Sequence, residues 1–287
     1  MTKYALILLV IVTFFSCTED KKEKVIETFM TYNIRYDNKE DGINRWNLRK
    51  KDLVSVIKKH NPAILGVQEA LYNQIEYLKN NTVYNYIGRG RDDGEKEGEY
   101  SAIFFDPNKV ELVEDGMFWL SENIDTPNIG WDAVCKRVVT WGKFILNHQE
   151  LYFFNTHFDH VGKIARIASS DLLLQKIEEI AGNKAVIICG DFNFNDRHKG
   201  YENLTDTIQE YFLRDSFKTT DNEKETNTDT FRGFSISNPI KNENRIDYIF
   251  YKNGVIVLDY KIDSSNNGTS YFSDHLPVII KSEIRNK

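Results

Sequence analysis

The chain has 287 residues, 41% of them apolar and 13% aromatic, which is enough to bury a large core in one domain or two. A formal net charge of −6 excludes an overall basic footprint for nucleic acid. It does not exclude a phosphate-bearing substrate, because a bound cation inverts the local field.

The first segment is "MTKYALILLVIVTFFSCTEDKKEK". Lys3 precedes an apolar run from Tyr4 to Phe15, shorter than the ~20 residues of a membrane-spanning helix. The run stops at Ser16-Cys17 and gives way to charge, so residues 1–16 are expected to be a processed signal and 17–24 a tether. The arrangement resembles a bacterial lipoprotein signal with Cys17 as the lipidated residue, although Phe14 stands where that pattern usually has Leu. The alternative is a plain secretory signal with an incidental cysteine. Both imply export. Lipidation implies a cell-envelope protein anchored at the outer membrane or cell surface, here expected to work as a monomer. Beyond Cys17 only Cys135 and Cys189 remain, too few for a disulfide scaffold, and Cys189 reads as a small core residue.

Residues 25–36 have the β-branched and aromatic content of a strand. Leu48, Leu53, Val56 and Ile57 then recur near helical spacing over 47–60, a helix ended by Asn61-Pro62. "AILGVQE" (63–69) reads as a buried strand and 70–80 as a second helix. The glycine-rich, charged run "GRGRDDGEKEGEY" (88–100) predicts a mobile loop. Two strands follow in 101–120, joined at Asp106-Pro107-Asn108, and two more in 137–158, turning at Asn147–Glu150. The longest helix is predicted over 162–182, closed by Gly182-Asn183. A strand at 185–190 leads into a polar irregular stretch, then a hairpin at 244–263 turning at Asn253-Gly254, then a last strand at 276–284. Hairpins mixed with strand–helix alternation predict an α/β protein of two face-to-face sheets with helices outside, as one domain over 25–287.

Polar residues gather at the ends of these apolar strands. Asn33 follows "FMTY", Gln68-Glu69 follow "AILGV", and Asn155 and His157 follow "LYFF". Asp191 and Asn193 follow "AVIICG", Asp247 sits in "NRIDYIF", and Asp274-His275 precede the last strand. Each alone is more often a capped turn or a satisfied buried polar group; together they describe one crevice. The set suits phosphoester hydrolysis. Glu69 and the Asp and Asn oxygens are hard ligands for Mg²⁺ or Mn²⁺. His157 and His275 can donate to phosphate oxygens, Asp191 is a candidate base for an attacking water, and Asn193 can hold that water or the phosphate. Zinc fits less well, since no HExxH or CxxC appears.

Taken in order, "TYNIR", "GVQE", "EYSAIFF", "NTHF", "GDFN", "RIDYIF" and "SDHLPV" resemble the endonuclease/exonuclease/phosphatase superfamily, which includes DNase I-like nucleases, over about residues 25–284. The resemblance implies a four-layer sandwich of two mixed β-sheets flanked by helices, and a metal-dependent phosphodiesterase with a nuclease-type substrate by default. It further implies that Asp191 activates the water, Asn193 and His157 bind phosphate, and Glu69 is the principal metal ligand assisted by Asn33. Asp247 would orient His275 and favour its charged form, and Asp274 would lie in the outer surroundings of the metal.

Departures concern the substrate side. Arg35 stands where some members carry an Asp, which favours a single metal. Asp159 and His160 extend "NTHF" and serve either substrate choice or, for His160, a helix cap. Glu99 is near the site or only a loop charge. Arg137 is a phosphate clamp or a surface ion pair, and the aromatics of "TFRGF" (230–234) belong to a substrate-side loop or to the core. The same chemistry on a phospholipid headgroup, inositol phosphate or nucleotide is the nearest alternative; a binding lipoprotein without catalysis is a further one.

Overall fold

The computed structural model describes residues 24–220 and 228–285; the expected signal and all of the tether except Lys24 lie outside them. Each sheet has six strands. The first contains β1 (Ile26–Asn33), β2 (Ile64–Ala70), β3 (Asn85–Ile87), β4 (Tyr100–Phe105), β11 (Val255–Ile262) and β12 (Val278–Ile284), in the order β11-β12-β1-β2-β4-β3. The second contains β5 (Glu111–Trp119), β6 (Val138–Leu146), β7 (Gln149–His157), β8 (Ala185–Asp191), β9 (Arg214–Asp215) and β10 (Asp247–Lys252), in the order β5-β6-β7-β8-β10-β9. Each sheet has one parallel pair at its centre, β1 with β2 and β7 with β8, and is otherwise antiparallel.

Strand alternation sorts the core into three layers. Phe29, Phe153, Ile187, Ile249 and Val278 fill the space between the sheets. Met30, Leu65 and Val67 face outward onto α1 (Trp46–His60) and α2 (Tyr72–Asn81). Val186, Ile188 and Phe250 face outward onto α3 (Lys163–Ala181) and α4 (Lys199–Thr205). The result is the four-layer sandwich anticipated from the strand pattern. Both tight turns follow their sequence signals: Asn147-His148 and Asn253 adopt the positive φ that two-residue hairpins demand.

Two expectations need correction. The run 88–99 is a compact turn: Gly90 and Asp92 N–H donate to the Glu95 and Glu97 carbonyls, and the Asp93 carboxylate accepts from the N–H groups of Glu95 and Glu97. Trp119 Nε1 ties it down by donating to the Arg91 carbonyl at 2.9 Å. Its glycines reflect positive φ at Gly94 and Gly98. The stretch after β8 contains α4 and β9, whose short apolar faces (Tyr201, Leu204, Leu213) give too little periodicity to read. Cys135 and Cys189 are free thiols.

Candidate active site

Residues two apart on a strand share a face, one layer about 7 Å beyond the other. Thr31 and Asn33, Asn155 and His157, and Cys189 and Asp191 are three such pairs on the inward faces of β1, β7 and β8. Because β1/β2 and β7/β8 are both parallel pairs, the second members emerge together at one edge of the sandwich. Asp247 joins them by opening β10 opposite Asp191.

Glu69 reaches this edge differently. Regular alternation would send it outward with Val67, toward α1 and α2. The register between β2 and β4 instead shifts between Val67 and Ala70, and Glu69 takes φ 64°. This bulge re-aims the carboxylate inward. Arg35 (φ 56°) and Asn193 (φ 52°) sit in the same strained region at neighbouring strand ends. Gly190 has to be glycine, since φ is 153° and a Cβ would run into the Thr156 carbonyl.

The side chains converge on Asp191, which is 1% exposed. Its Oδ1 accepts from Asn193 N–H at 2.9 Å and its Oδ2 from Asn33 Nδ2 at 3.0 Å. His157 Nε2 and His275 Nε2 lie 3.5 and 3.6 Å from the same Oδ2. Burial, with Asp247 nearby, pushes the Asp191 carboxyl up to about 7. Burial opposes charge on His275 as well, but Asp247 Oδ2, 2.8 Å from Nδ1, and Asp191 outweigh it and hold the ring well above its ordinary value. His157 is driven the other way by burial and by Arg137 and Arg91, so its imidazole is neutral. Two histidines of similar burial are thus driven in opposite directions, His275 upward by Asp247 and Asp191 and His157 downward by burial and the arginines beside it.

Asn33 donates to Glu69 Oε1 as well as to Asp191, and its Oδ1 accepts from Arg35 N–H. It presents nitrogen rather than oxygen to Glu69. Glu69 Oε2 accepts from Tyr36 N–H at 3.2 Å and lies 3.8 Å from Arg35 Nη1. Asp274 is raised by burial and by Glu69; it accepts from Ser273 Oγ and lies 3.9 Å from Arg35 Nε. Glu69, His157 and Asp191 each offer a donor atom within 4.8 Å of one another, a buried group able to hold a metal ion. Two carboxylates in that cluster fit a hard divalent cation.

These residues open into a cavity of about 440 Å³ whose lining also includes Arg91, Glu99, Cys135, Arg137, His160, Phe231 and Ile246. Arg137 is buried rather than a surface ion pair. Its Nη2 lies 3.0 Å from His160 Nδ1 and its Nε 3.5 Å from Asp159 Oδ2, while Nη1 has no hydrogen-bond partner. His160 does not cap α3. That end is held by the Asp132 carboxylate, which accepts from Ile164 and Ala165 N–H, and by Asp159, which accepts from Val161 and Gly162 N–H. Glu99 stands at the site, 2.8 Å from Arg91 Nη1 and 3.8 Å from His157 Nδ1. Phe231 of "TFRGF" is 40% exposed and packs against the His275 ring at 5.0 Å. Asn193 lines the cavity, with Nδ2 bonded to the Phe158 carbonyl.

Gln68 and Asn155 stand apart from the cavity, one layer deeper. Gln68 Nε2 donates to Thr31 Oγ1 and Asn155 Oδ1, and Asn155 Nδ2 donates to the Val67 and Ala102 carbonyls. Sequence reading missed Arg91, Tyr36 and Ile246. Arg91 lies in a run whose glycines and charges signalled only a loop, and the other two carry no chemical signature.

Comparison with known proteins agrees with this geometry. An endonuclease/exonuclease/phosphatase protein of Bacteroides vulgatus superposes with TM-score 0.84 at 38% identity, covering 91% of this chain and all of that one. A mannosyl-6-phosphatase of Bacteroides thetaiotaomicron superposes with TM-score 0.82 at 34% identity, covering 89% and 99%. Bovine tyrosyl-DNA phosphodiesterase 2 is 27% identical over 192 residues, 63% of this chain but only 47% of that protein. The sequence profile of the Endonuclease/Exonuclease/phosphatase family matches residues 30–275, from the middle of β1 to the histidine paired with Asp247, and the chain belongs to that family of phosphoester hydrolases.

Proposed function

We propose that the protein is an Mg²⁺- or Mn²⁺-dependent phosphoester hydrolase whose substrate is a small phosphoester of the sugar-phosphate kind. The observation that carries the reading is the buried cluster of Asp191, His157, Glu69 and the His275–Asp247 pair opening into one cavity of small-molecule size. Glu69 would hold the metal, with Asn33 and Asp274 beside it. When bound, the ion would polarise the phosphoryl oxygens and offset the negative charge that builds on them. Arg35, within 3.9 Å of both Glu69 and Asp274, already supplies one positive charge there, which favours one metal over two.

Asp191, poised near neutrality, takes a proton from the attacking water as the new P–O bond forms and the ester P–O bond breaks, and the departing alkoxide takes a proton from solvent to leave as the alcohol. Protonated His275, held by Asp247, donates to a phosphoryl oxygen, and neutral His157 donates through a ring N–H. Asn193 orients the phosphate. Arg137 and His160, also in the cavity lining, face the rest of the substrate.

Similarity to the mannosyl-6-phosphatase along nearly the whole chain supports the small substrate. Nucleic acid is the second reading, supported by the partial similarity to tyrosyl-DNA phosphodiesterase 2. The N-terminal segment supports export and anchoring in the envelope through a lipid on Cys17. The test is an assay of the metal-free protein, with and without Mg²⁺ or Mn²⁺, against mannose 6-phosphate, inositol phosphates, sphingomyelin, DNA and RNA. Metal-dependent release of phosphate from the sugar ester, lost in Asp191→Asn, is the expected result. Turnover of DNA or RNA alone would replace the substrate assignment. Silence without metal binding would return the protein to a binding role.

A further inference from the structure

The segment Asp229–Arg232 links the two pieces of chain that carry the His275–Asp247 pair. Thr230, fully buried, accepts through Oγ1 from the backbone N–H groups of both Ile246 and Asp247 at 3.0 Å. The same hydroxyl donates to the Asn244 carbonyl at 3.3 Å. One proton and two lone pairs are then all used, the full capacity of a hydroxyl. On the other side, Leu276 N–H donates to the Thr230 carbonyl at 2.7 Å, Phe231 bridges His275 in antiparallel pairing, and Arg232 N–H donates to the Asp274 carbonyl at 2.9 Å. Asp229, also fully buried, accepts from the N–H groups of Lys241, Glu243 and Asn244 at 2.7, 3.0 and 2.9 Å and so fixes the approach to β10.

We propose that Thr230 is a positioning residue that holds Asp247 against His275, with Asp229 bracing the same turn. It touches neither substrate nor metal and acts only through the pair, so the proposal rests on the catalytic reading given above. The pair needs such a device because its halves come from different places. Asp247 begins β10, between β8 and the edge strand β9 of one sheet, and His275 sits in the loop before β12 of the other. Main-chain pairing within either sheet does not set the distance between them. A strap bonded to both does. The hydroxyl is the operative group, since it accepts from the amide of the residue whose carboxylate orients the ring.

The experiment compares Thr230→Val with Thr230→Ser in the full chain. The first readout needs no turnover: a slowly exchanging, low-field proton resonance from His275 Nδ1–H reports the bond to Asp247. It is expected in the wild type and in Thr230→Ser, and lost in Thr230→Val while the remaining amide spectrum stays native. Its persistence in Thr230→Val overturns the proposal. Should the valine variant not fold, Thr230→Ser decides, because its retained hydroxyl must preserve both resonance and rate; loss of either is a negative result.

The second readout uses a chromogenic phosphoester. Thr230→Val is expected to lower kcat by about 10- to 100-fold with KM within about threefold. In an Asp247→Asn background the same change should cost less than about threefold, because the partner it acts through is already impaired. Equal losses in both backgrounds would mean that Thr230 is only structural. An Asp247→Asn variant with wild-type turnover would remove the catalytic reading of the pair, leaving the resonance to judge the positioning on its own.

Discussion

Two buried polar networks bridge the same two sheets one layer apart, and they differ in kind. The deeper one, Thr31–Gln68–Asn155, is neutral: Asn155 spends its amide on two carbonyls and the Gln68 side chain, Cys189 Sγ lies 3.6 Å from its oxygen, and only Gln68 Oε1 is left without a hydrogen-bond partner. The outer one, Asn33–Glu69–Asp191–His275–Asp247, is charged and opens on a cavity. Most members of both occupy inward-facing strand positions; Glu69 joins the outer network through its bulge and His275 from a loop. Amides can satisfy one another inside a protein, whereas crowded carboxylates cannot, and the structure leaves them where a cation and a phosphate can reach. Position alone therefore does not separate scaffold from site; the balance of charge does.

The sharpest way to break this contrast is to remove charge from the outer network. Asp191→Asn keeps size and most hydrogen bonds but cannot take a proton, so kcat should fall by about 10²- to 10⁴-fold. The unfolding temperature of the metal-free protein should not drop, because the carboxylate is one that burial disfavours. A variant that melted early while keeping its rate would reverse the two networks' roles. Glu69→Gln tests the metal half. Mn²⁺ affinity, measured by calorimetry on the purified protein, should weaken by at least about tenfold. Unchanged affinity would move the ion elsewhere.

In the deeper network the expected loss is in stability. Asn155→Ala leaves the Gln68 amide with Thr31 Oγ1 as its one acceptor and removes a donor from two carbonyls, a cost of about 3 kcal/mol in chemical denaturation. Turnover per folded molecule should stay within about twofold of wild type, since Asn155 has no place in the cavity wall. A large loss of kcat at full folding would show that the two layers are coupled.

Much of this contrast was legible in the chain. The run "GDFN" announces a buried strand ending in polar chemistry, and "SDHLPV" places a histidine before another strand, so Asp191, Asn193 and His275 could be named. The sequence of strands and helices along the chain, the hairpin turns and most of the buried face of α1 also followed from spacing, Leu48 excepted, which is exposed. Three things did not follow, each for a physical reason. Gln68 and Asn155 carry the same strand-end signature as Asn33 and His157, and only the layer in which they fall, a property of sheet packing, tells them apart. Glu69 reaches the site through a bulge that contradicts its parity. Arg91, Arg137 and His160 meet because a glycine-rich turn, the loop before β6 and the loop after β7 converge, and local sequence does not encode that convergence.

A third buried charge tests whether charge by itself marks function. Asp263, 2% exposed by side chain, lies 2.5 Å from His60 Nε2 and 2.7 Å from Lys59 Nζ, and it accepts from Ser265 N–H at 2.7 Å. Burial alone would raise this carboxyl, but the bonds from His60, Lys59 and Ser265 outweigh it and hold it well below the ordinary carboxylate range. A carboxyl depressed in the folded state adds stability above its unfolded value of about 3.9, and that stability is lost as pH falls through the folded value. Asp263→Asn should therefore cost about 1–2 kcal/mol at pH 7, a modest figure because Lys59 is half exposed and screened. The gap in unfolding temperature between variant and wild type should hold steady down to about pH 5 and close progressively below about pH 4. Catalysis should be untouched. A gap independent of pH would mean that Asp263 acts through shape rather than charge; a fall in kcat would extend the working network to the end of α1. The expected outcome places Asp263 with Asn155. It is charged, yet its partners already balance it, and a buried charge is left available for chemistry only where its neighbours do not.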